Sequence, residues 1–407
     1  MPISEISGVK HRPEHELLVA CARNSASLKN TERIRELLKE KIDWSYVIQC
    51  AQRHRILPLL YRSLSGMAPE GVPEIILNNL RNRFNSNGRR NLYLTGELLK
   101  LLGFLAENGI SAIPFKGPVL ALSAYGDLSL RQFDDLDILI PKSDVLKAKE
   151  LLVSRNYRLR DPFTPERAEA CLRIGCEFVF ERQDGMVTVD LHWDFAETGF
   201  GFRFDLEKLW HRLEPISIGG RKVHTLPIED TLLLHCVHGS KHEWERLEWI
   251  CALSELIRTH RQIDWDRVFE KASSLSSERM FLVGLRLTRD LLETDLPGAA
   301  LEKLKKDPVL DSLVSQVCKG LFSEEEAYLK EATRYAFHLK MREKWTDKAR
   351  YFFNVACRKL TPNARDQKQL PLPAFLSFTY VLTRPIRLLR EYGVSPLIQF
   401  LKRLRSI

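Results

Sequence analysis

Three signatures of common enzyme classes are missing from this 407-residue sequence. It has no GxxxxGK(S/T) phosphate loop, no GxGxxG dinucleotide motif and no GxSxG nucleophile elbow. Each of these motifs places a loop or a nucleophile where a specific chemistry needs it. Their absence argues against a P-loop NTPase, a Rossmann-type dehydrogenase and an α/β-hydrolase.

Paired cysteines are missing as well. The eight cysteines are scattered along the chain and include no CxxC pair. Small secreted domains instead carry dense, regularly spaced cysteines that form disulfide frameworks. The pattern therefore favours free thiols in a reducing compartment, and we expect a cytoplasmic protein.

The sequence also lacks segments for export or membrane insertion. The N-terminal sequence MPISEISGVKHRPEHELL has no apolar core of the kind a signal peptide needs. The longest apolar stretch near the C-terminus, Leu370–Leu382, contains Pro371 and Pro373. Because a membrane-spanning helix needs roughly 20 apolar residues, we expect neither a signal peptide nor a transmembrane segment.

Basic residues are concentrated in one part of the chain. The net charge is +9, and residues 331–407 hold 16 Lys and Arg against 5 Asp and Glu, so the excess lies in this tail. Its last predicted helix, Pro396–Arg405, is basic and amphipathic. Such a tail suits contact with a nucleic acid, an anionic membrane surface or an acidic partner. It suits a solvated helical face or packing against the rest of the protein equally well.

Composition and periodicity predict an α+β fold that is mostly helical. The apolar share of 44% and the charged share of 28% are those of a globular protein. Helical spacing dominates before residue 110 and after residue 207, and short β-like runs lie between. We expect a small mixed β-sheet flanked by N- and C-terminal helical lobes. The predicted parts are an N-terminal lobe (1–95), a sheet-containing core (96–215), a C-terminal lobe (216–330) and the basic tail (331–407).

Capping residues, prolines and glycines set the limits of the individual elements. Asp43 can cap a helix, and Pro58 should interrupt the helical pattern before Leu59 and Leu60. The predicted helices include 44–51, 91–108, 118–125 and about 144–155. The predicted strands cover 110–115, 133–140, 177–182 and 186–195, with hairpin turns at Asp184-Gly185 and Gly219-Gly220.

Two of these strands carry aspartates within apolar sequence. Side chains alternate faces along a strand, so Asp135 and Asp137 project on one side of Phe133–Ile140. In Val187–Trp193, Asp190 and His192 likewise share the polar face. If the two strands are neighbours, the three carboxylates converge, and a cation must offset their repulsion. Mg²⁺ fits, because it takes carboxylate oxygens together with substrate phosphates.

A glycine turn that opens a helix, an Asp-x-Asp strand and a later aspartate strand resemble the DNA polymerase β-like nucleotidyltransferase superfamily. The chain looks more closely like a bacterial family of uncharacterised nucleotidyltransferases, and the resemblance spans most of its length. The matching segments are Ile113-Pro-Phe-Lys-Gly117, Tyr125 with Arg131, Asp134-Asp-Leu-Asp-Ile-Leu-Ile140, Val189-Asp-Leu-His-Trp193 and Leu233–Leu247. The resemblance implies that 96–215 is a nucleotidyltransferase core.

The resemblance also implies roles for the aspartates and for the glycine turn. Asp135 and Asp137 would be paired metal ligands, and Asp190 the third carboxylate and the base for the attacking hydroxyl. Gly117 takes the place of a Gly-Ser turn whose backbone N–H groups face the phosphates. Pro118 stands where many relatives have serine, so a hydroxyl and an N–H donor are missing.

Two basic residues near this turn are candidate nucleotide contacts. Lys116 and Arg131 would supply positive charge to the triphosphate. The alternative is that each forms an ion pair with a nearby carboxylate, including Asp134 or Asp127. His192 would border the nucleotide or orient a ligand, or it would be an ordinary hydrogen-bonded sheet residue.

Three histidines lie on one predicted helix face. His235, His238 and His242 fall at i, i+3 and i+7, with Lys241 beside them. Histidines at this spacing can bind zinc, but no HExxH pattern accompanies them. Contact of His238, Lys241 and His242 with the substrate, or ordinary helix packing, fits the sequence better.

The sequence thus predicts a Mg²⁺-dependent nucleotidyltransferase that moves a nucleoside monophosphate from an NTP to an acceptor and releases pyrophosphate. Mn²⁺ is the alternative cofactor, and the sequence does not define the acceptor. The alternative function is an inactive protein of the same fold that binds RNA, a membrane surface or a protein through residues 331–407. Intact Asp135, Asp137 and Asp190 favour the enzyme, whereas the missing serine after Gly117 leaves the alternative open.

Overall fold

The computed structural model describes residues 12–23, 27–160, 171–322 and 327–360. The chain divides into two units. The larger comprises Met1–Thr198 with Phe202–Ser323, and the smaller comprises Gly199–Gly201 with Glu324–Ile407. All candidate site residues belong to the larger unit. The finer division at residues 95, 215 and 330 stays a prediction.

Helices precede and follow the β-strands in the larger unit. The first group is α1 (Pro13–Cys21), α2 (Leu28–Leu37), α3 (Trp44–Arg53), α4 (Leu57–Met67) and α5 (Glu74–Glu107). Between strands lie α6 (Pro118–Tyr125), α7 (Val145–Ser154) and α8 (Leu206–Trp210). The last group is α9 (Ile228–Lys241), α10 (Leu247–Thr259), α11 (Trp265–Ser274), α12 (Glu278–Leu292), α13 (Gly298–Lys306) and α14 (Leu310–Phe322).

A mixed five-stranded sheet lies between these helices. Its strands are β1 (Ile113–Pro114), β2 (Asp135–Leu139), β3 (Tyr157–Leu159), β4 (Glu177–Arg182) and β5 (Thr188–His192), in the order β1-β2-β5-β4-β3. β2 and β5 are parallel, and the other pairs in this sheet are antiparallel. A separate hairpin joins β6 (Glu214–Ile218) to β7 (Arg221–Thr225). The prediction of a mostly helical α+β fold with a small mixed sheet is confirmed.

One face of the five-stranded sheet packs into an apolar core. Leu136 and Ile138 of β2 and Val189 and Leu191 of β5 are fully buried there. The core also contains side chains from α5 and α7: Leu94, Leu98, Leu101, Leu105, Val145, Ala148 and Leu152. Burial of each large aliphatic side chain contributes about 1.5–3 kcal/mol. This packing leaves the aspartates of β2 and β5 on the opposite face.

The long helix α5 begins well before the predicted helix at 91–108. It spans Glu74–Glu107 and is 34 residues long. Before Asn91, Leu80 is its single buried residue, so the apolar periodicity that reveals a helix is weak there. Gly109, with φ +71°, follows its C-terminal end, as expected of a helix terminator.

The other local predictions are confirmed in part. Asp43 caps α3 as predicted, since its side chain accepts the N–H of Tyr46 at 3.0 Å. Pro58, however, lies in the first turn of α4, and the helical pattern breaks earlier, at 54–56. Pro58 is tolerated there because its missing N–H has no intrahelical partner in a first turn. The predicted strand 110–115 is reduced to Ile113–Pro114, and β3 was not predicted.

The described part of the smaller unit contains two helices, α15 (Ala327–Lys340) and α16 (Trp345–Leu360). A hydrogen bond joins them, with 2.7 Å between His338 Nδ1 and the Tyr351 hydroxyl. The rest of the basic tail, including Pro396–Arg405, lies outside the described residues. Binding of nucleic acid or an anionic membrane through residues 331–407 therefore stays a prediction.

Membrane insertion and cysteine chemistry can be checked against the described residues. None of the described helices is both long and apolar enough to cross a bilayer. All eight cysteines fall within the described ranges, and each is a free thiol. The cytoplasmic location stays a prediction.

Candidate active site

Asp137 and Asp190 face each other across β2 and β5. The parallel register pairs Asp137 with Asp190 and Asp135 with Thr188. Neighbouring strands lie about 4.8 Å apart, and alternation along β2 places Asp135 on the same face as Asp137. The two aspartate-bearing strands are therefore neighbours, which is the condition that the sequence left open.

A third strand, β4, adds carboxylates to this face. Its register with β5 pairs Glu177 with His192 and Glu181 with Thr188, and directly paired residues share a face. Sequence reasoning missed Glu177. The signal was present, because counting back along both strands from the predicted hairpin turn at Asp184-Gly185 places Glu177 opposite His192.

Asp137 is held by two basic side chains. Its Oδ1 lies 2.8 Å from Lys116 Nζ and 3.2 Å from His192 Nε2. Its side chain is 5% exposed. Burial acts to raise the pKa of Asp137, but Lys116 and His192 outweigh burial and hold that pKa well below its usual range. Asp137 is therefore a buried carboxylate that keeps its negative charge.

The pKa values of Asp190 and Asp135 are raised, whereas that of Asp137 is lowered. Burial, then the charges of Asp137 and Asp135, raises the pKa of Asp190 to about 7. Burial and Asp137 likewise raise the pKa of Asp135, although Lys116 and Arg131 act against them. Asp190 Oδ1 is buried, and nothing in the described part of the chain hydrogen-bonds to it. The three carboxylates thus repel one another, and a cation among them would relieve that repulsion.

His192 lies between two carboxylates. Its Nε2 faces Asp137, and its Nδ1 lies 3.1 Å from Glu177 Oε2, without the alignment of a hydrogen bond. The ring is 5% exposed. The Phe115 ring packs edge-on against it, with 5.0 Å between centroids. The position of the imidazole is therefore set from several sides.

The turn at Gly117 brings Lys116 to Asp137. Gly117 has φ +52° and ψ −122°, a backbone conformation that glycine adopts without the steric cost of a Cβ. The backbone of α6 starts directly after it, with Pro118 in the first turn. Burial acts to lower the pKa of Lys116, but Asp137 outweighs burial and raises it. Lys116 is therefore a charged ammonium at the edge of the carboxylate cluster.

Arg131 forms a buried ion pair, as the alternative interpretation expected, but with a different partner. Its Nε lies 2.5 Å from Glu248 Oε1 on α10, and the two side chains are 9% and 3% exposed. Burial acts to lower the pKa of Arg131, but Glu248 raises it, and Asp137 adds to that effect. The guanidinium therefore lies near the aspartates and is held by Glu248.

The carboxylates named in that alternative, Asp134 and Asp127, have other partners. Asp134 Oδ2 lies 2.9 Å from Arg55 Nη2, and its Oδ1 lies 3.8 Å from Arg90 Nε. Asp127 instead caps its own turn by accepting the N–H of Ser129 at 2.8 Å. Because Asp134 directly precedes Asp135, the two arginines add positive charge at the exposed rim of the site.

The helix α9, with His242 as its C-terminal cap, brings the predicted histidines close to this cluster. His238 and His242 pack together with 4.7 Å between ring centroids, and both contact the Trp249 ring. Burial, then the charge on Lys116, lowers the pKa of His238. His235 Nε2 instead lies 2.8 Å from the Trp249 carbonyl oxygen. His238 therefore lies within electrostatic reach of Lys116, and His235 serves the packing of α9 on α10.

Two groups of described side chains have the spacing of a metal site. Ligand atoms of Asp137, Asp190 and His192 lie within 4.8 Å of one another, and so do those of Cys176, Glu177 and His192. Carboxylate oxygens suit Mg²⁺ and Mn²⁺, and imidazole suits transition metals. The buried Asp190 Oδ1 is a carboxylate oxygen that accepts no hydrogen bond from any described residue, so it can bind a cation. The residues around Asp137 therefore fit a divalent cation.

Comparison with known proteins agrees with this chemistry. A family model described as uncharacterised nucleotidyltransferase matches residues 40–293. The matched region covers more than half of the chain and contains every candidate site residue. The chain belongs to this family. No curated protein and no solved structure matches it. Placement in the DNA polymerase β-like superfamily stays a prediction.

Proposed function

We propose that this chain is a divalent-metal-dependent nucleotidyltransferase that transfers a nucleoside monophosphate from an NTP to an acceptor hydroxyl or phosphate and releases pyrophosphate. The observation that carries the proposal is the direct opposition of Asp137 and Asp190 on adjacent strands, with Lys116 beside them. Membership of the nucleotidyltransferase family supports the reaction type.

Asp137 and Asp190, with Asp135 beside them, would hold Mg²⁺ or Mn²⁺. A bound ion would make the acceptor hydroxyl more acidic and neutralise charge on the phosphates. The acceptor oxygen forms a bond to the α-phosphorus, and the bond from that phosphorus to the pyrophosphate oxygen breaks. The hydroxyl proton passes to Asp190, and the electron pair leaves with pyrophosphate.

The basic groups around the aspartates would bind the triphosphate. Lys116 contacts the same Asp137 oxygen that would coordinate the ion, so its ammonium would turn towards a phosphate oxygen in the loaded enzyme. Backbone N–H groups after Gly117 would face the phosphates, although Pro118 contributes none. Arg131, held by Glu248, would add positive charge near Asp137 and so favour binding of the triphosphate. Most of the rate enhancement would come from positioning and charge neutralisation.

The helix α9 would border the substrate near Lys116. The charge on Lys116 lowers the pKa of His238, after burial. Lys241 lies close enough to Cys176, the residue before Glu177, to act on the pKa of its thiol. We propose that His238, Lys241 and His242 contact a phosphate or the acceptor, as the sequence suggested. His192 is proposed to act at the metal and not at the nucleotide.

The experiment that tests the proposed function follows label from an α-³²P-labelled NTP into acceptors. Purified protein is incubated with Mg²⁺ and with separate RNA, protein and small-metabolite fractions of a cell extract. Wild type should transfer label in a metal-dependent reaction, and Asp137→Asn should lose it by at least about 100-fold. Asp184→Asn, at the exposed hairpin turn outside the site, is the matched control and should retain activity.

Each other outcome of this assay points elsewhere. Retained transfer by a folded Asp137→Asn protein would overturn the site assignment. Transfer to no fraction, together with no NTP binding by a folded sample, would favour the inactive binding protein instead.

A further inference from the structure

His192 is placed to donate a nitrogen to the metal. Its Nε2 lies 3.2 Å from Asp137 Oδ1, and one ligand atom each of Asp137, Asp190 and His192 lies within 4.8 Å of the other two. Adjacent ligands of an octahedral ion with bonds of roughly 2.1 Å lie about 3.0 Å apart. The spacing of Nε2 and Oδ1 is therefore that of two ligands on the same ion.

The opposite ring nitrogen faces the group that would fix the tautomer. His192 Nδ1 lies 3.1 Å from Glu177 Oε2. The Glu177 side chain is 36% exposed, so it has room to turn into hydrogen-bond alignment with Nδ1–H. Without a metal, Nε2 lies within hydrogen-bond distance of Asp137 Oδ1 and can donate its proton to it. With the proton on Nδ1, facing Glu177, Nε2 instead presents a lone pair that a cation between Nε2 and Oδ1 can bind.

We propose that His192 is a metal ligand through Nε2, that Glu177 is the residue that orients it, and that the site therefore binds Mn²⁺ in preference to Mg²⁺. This inference rests on the proposed function only for the existence of a metal at Asp137 and Asp190. A carboxylate that holds the second nitrogen of a ligating histidine is a recurrent feature of metal sites. Imidazole is a softer ligand than carboxylate, which favours Mn²⁺ over Mg²⁺.

The His192 ring is held in place by its surroundings. The ring is buried, and the edge contact with Phe115 restricts its rotation. Glu181, the next carboxylate on the same face of β4, lies opposite Thr188 and pairs with Arg158, with 3.1 Å between Glu181 Oε2 and Arg158 Nη2. Glu181 is therefore a matched control for Glu177.

The test measures Mn²⁺ in the full-length protein without any nucleotide. Electron spin-echo envelope modulation of bound Mn²⁺ should show coupling to ¹⁴N, and biosynthetic ¹⁵N labelling of histidine should convert it to ¹⁵N coupling. His192→Ala should still bind Mn²⁺ but lose the nitrogen coupling. In wild type, the affinity for Mn²⁺ should exceed that for Mg²⁺ by about tenfold or more. In His192→Ala, the ratio of the two affinities should fall towards one.

The role of Glu177 has its own readout. Removal of an orienting carboxylate weakens metal binding by roughly 10–100-fold, so Glu177→Ala should lose Mn²⁺ affinity by that factor. Glu177→Gln keeps an oxygen acceptor for Nδ1–H and should recover part of the loss. Glu181→Ala should match wild type. Equal affinity for Mn²⁺ in Glu177→Ala and wild type would remove Glu177 from the site.

Several results would overturn the inference. Absence of nitrogen coupling in wild type would do so, and so would coupling that persists in His192→Ala. Nitrogen coupling that disappears in Cys176→Ser would move the ion to the opposite, Nδ1 side of the ring. If His192→Ala does not fold, the histidine-labelled wild type decides the presence of a nitrogen ligand without it.

The inference and the proposed function can fail separately. Nitrogen-coupled Mn²⁺ in a protein that never transfers nucleotide would support the His192 ligand and contradict the transferase activity. Nucleotide transfer by a protein whose Mn²⁺ shows no nitrogen coupling would support the activity and contradict the ligand.

Discussion

Lys116 and Asp137 form an ion pair, with 2.8 Å between Nζ and Oδ1, that joins the turn before α6 to the strand β2. The Asp137 side chain is 5% exposed, whereas Lys116 is 25% exposed. The lysine therefore reaches the carboxylate from the side that is open to solvent. A metal ion and Lys116 would compete for the same oxygen, and this competition has a measurable consequence.

Replacement of Lys116 should separate nucleotide binding from metal binding. In Lys116→Met, NTP affinity should fall by about tenfold or more, since a charge-assisted hydrogen bond contributes about 1.5–3 kcal/mol. Affinity for the metal alone should stay the same or rise, because Asp137 loses a competing cation. Calorimetry with metal and with NTP measures both. Lys147→Met, on the exposed side of α7, should change neither, and an equal loss of both affinities would contradict the competition.

The conformation of Gly117 should make it intolerant of a side chain. Gly117→Ala should lower the free energy of unfolding by about 1–3 kcal/mol, because φ +52° with ψ −122° is strained for an L residue. A Cβ there would lie 3.5 Å from the Asp135 carbonyl oxygen, so strain and not a clash is the cause. Urea denaturation measures the change.

A second glycine supplies a control of opposite sign. Gly103 lies within α5, and nothing is within 4 Å of where its Cβ would stand. Gly103→Ala should raise the free energy of unfolding by about 0.5–1 kcal/mol. A Gly117→Ala protein as stable as wild type would show that the turn relaxes to an ordinary conformation.

The buried ion pair of Arg131 and Glu248 should be costly to break. Glu248→Gln leaves a buried guanidinium without a counter-charge, and the free energy of unfolding should fall by about 3–5 kcal/mol. Chemical denaturation checks this. The exposed pair of Glu302 and Lys305 gives the control, because solvent screens this pair and Glu302→Gln should leave stability close to that of wild type. Similar small effects in both variants would mean that water or Asp137 compensates Arg131.

Acid should destabilise the protein through His54. The side chain is fully buried, and Nδ1 accepts the Leu247 N–H at 3.3 Å. Burial, helped by the charge on Arg53, lowers the pKa of His54 to about 3. Between that value and an unfolded pKa of about 6.5 the unfolded chain binds more protons. The contribution of neutral His54 is complete above about pH 6.5 and is lost as pH falls towards 3.

Unfolding free energies at several pH values between 7.5 and about 4 test this directly. The slope owed to one such histidine approaches about 1.4 kcal/mol per pH unit. His54→Gln keeps an acceptor without a titrating ring and should flatten the slope by that amount. His15 titrates in the same direction, so the difference between wild type and variant is the quantity that decides. Parallel profiles would rule out His54 as the acid-sensitive group.

The aspartate strands could be predicted from sequence because their pattern is local. Alternation of apolar and acidic residues defines the faces of β2 and β5, and the Asp184-Gly185 turn sets the β4–β5 hairpin. The parallel pairing that brings Asp137 to Asp190 is not local. It depends on the packing of α5 and α7 on the opposite face, and no short pattern encodes it.

Charge partners were the least predictable part of the site. As an alternative to triphosphate contact, Arg131 could pair with a nearby carboxylate such as Asp134 or Asp127, yet its partner Glu248 is 117 residues away. Arg55 and Arg90 pair with Asp134 instead. Buried ion pairs form where tertiary packing brings two charges together and removes water. Sequence separation therefore gives little guidance to them.

The most direct test of the central claim is calorimetric titration of the four NTPs into purified protein, with Mg²⁺ or Mn²⁺ and again with EDTA. The same titrations are made on the Asp135→Ala/Asp137→Ala protein, whose folding is checked by circular dichroism. At least one NTP should bind wild type only when metal is present, and the double variant should lose this binding. Binding that survives EDTA or the double substitution would contradict it, as would a folded wild type that binds no NTP at all.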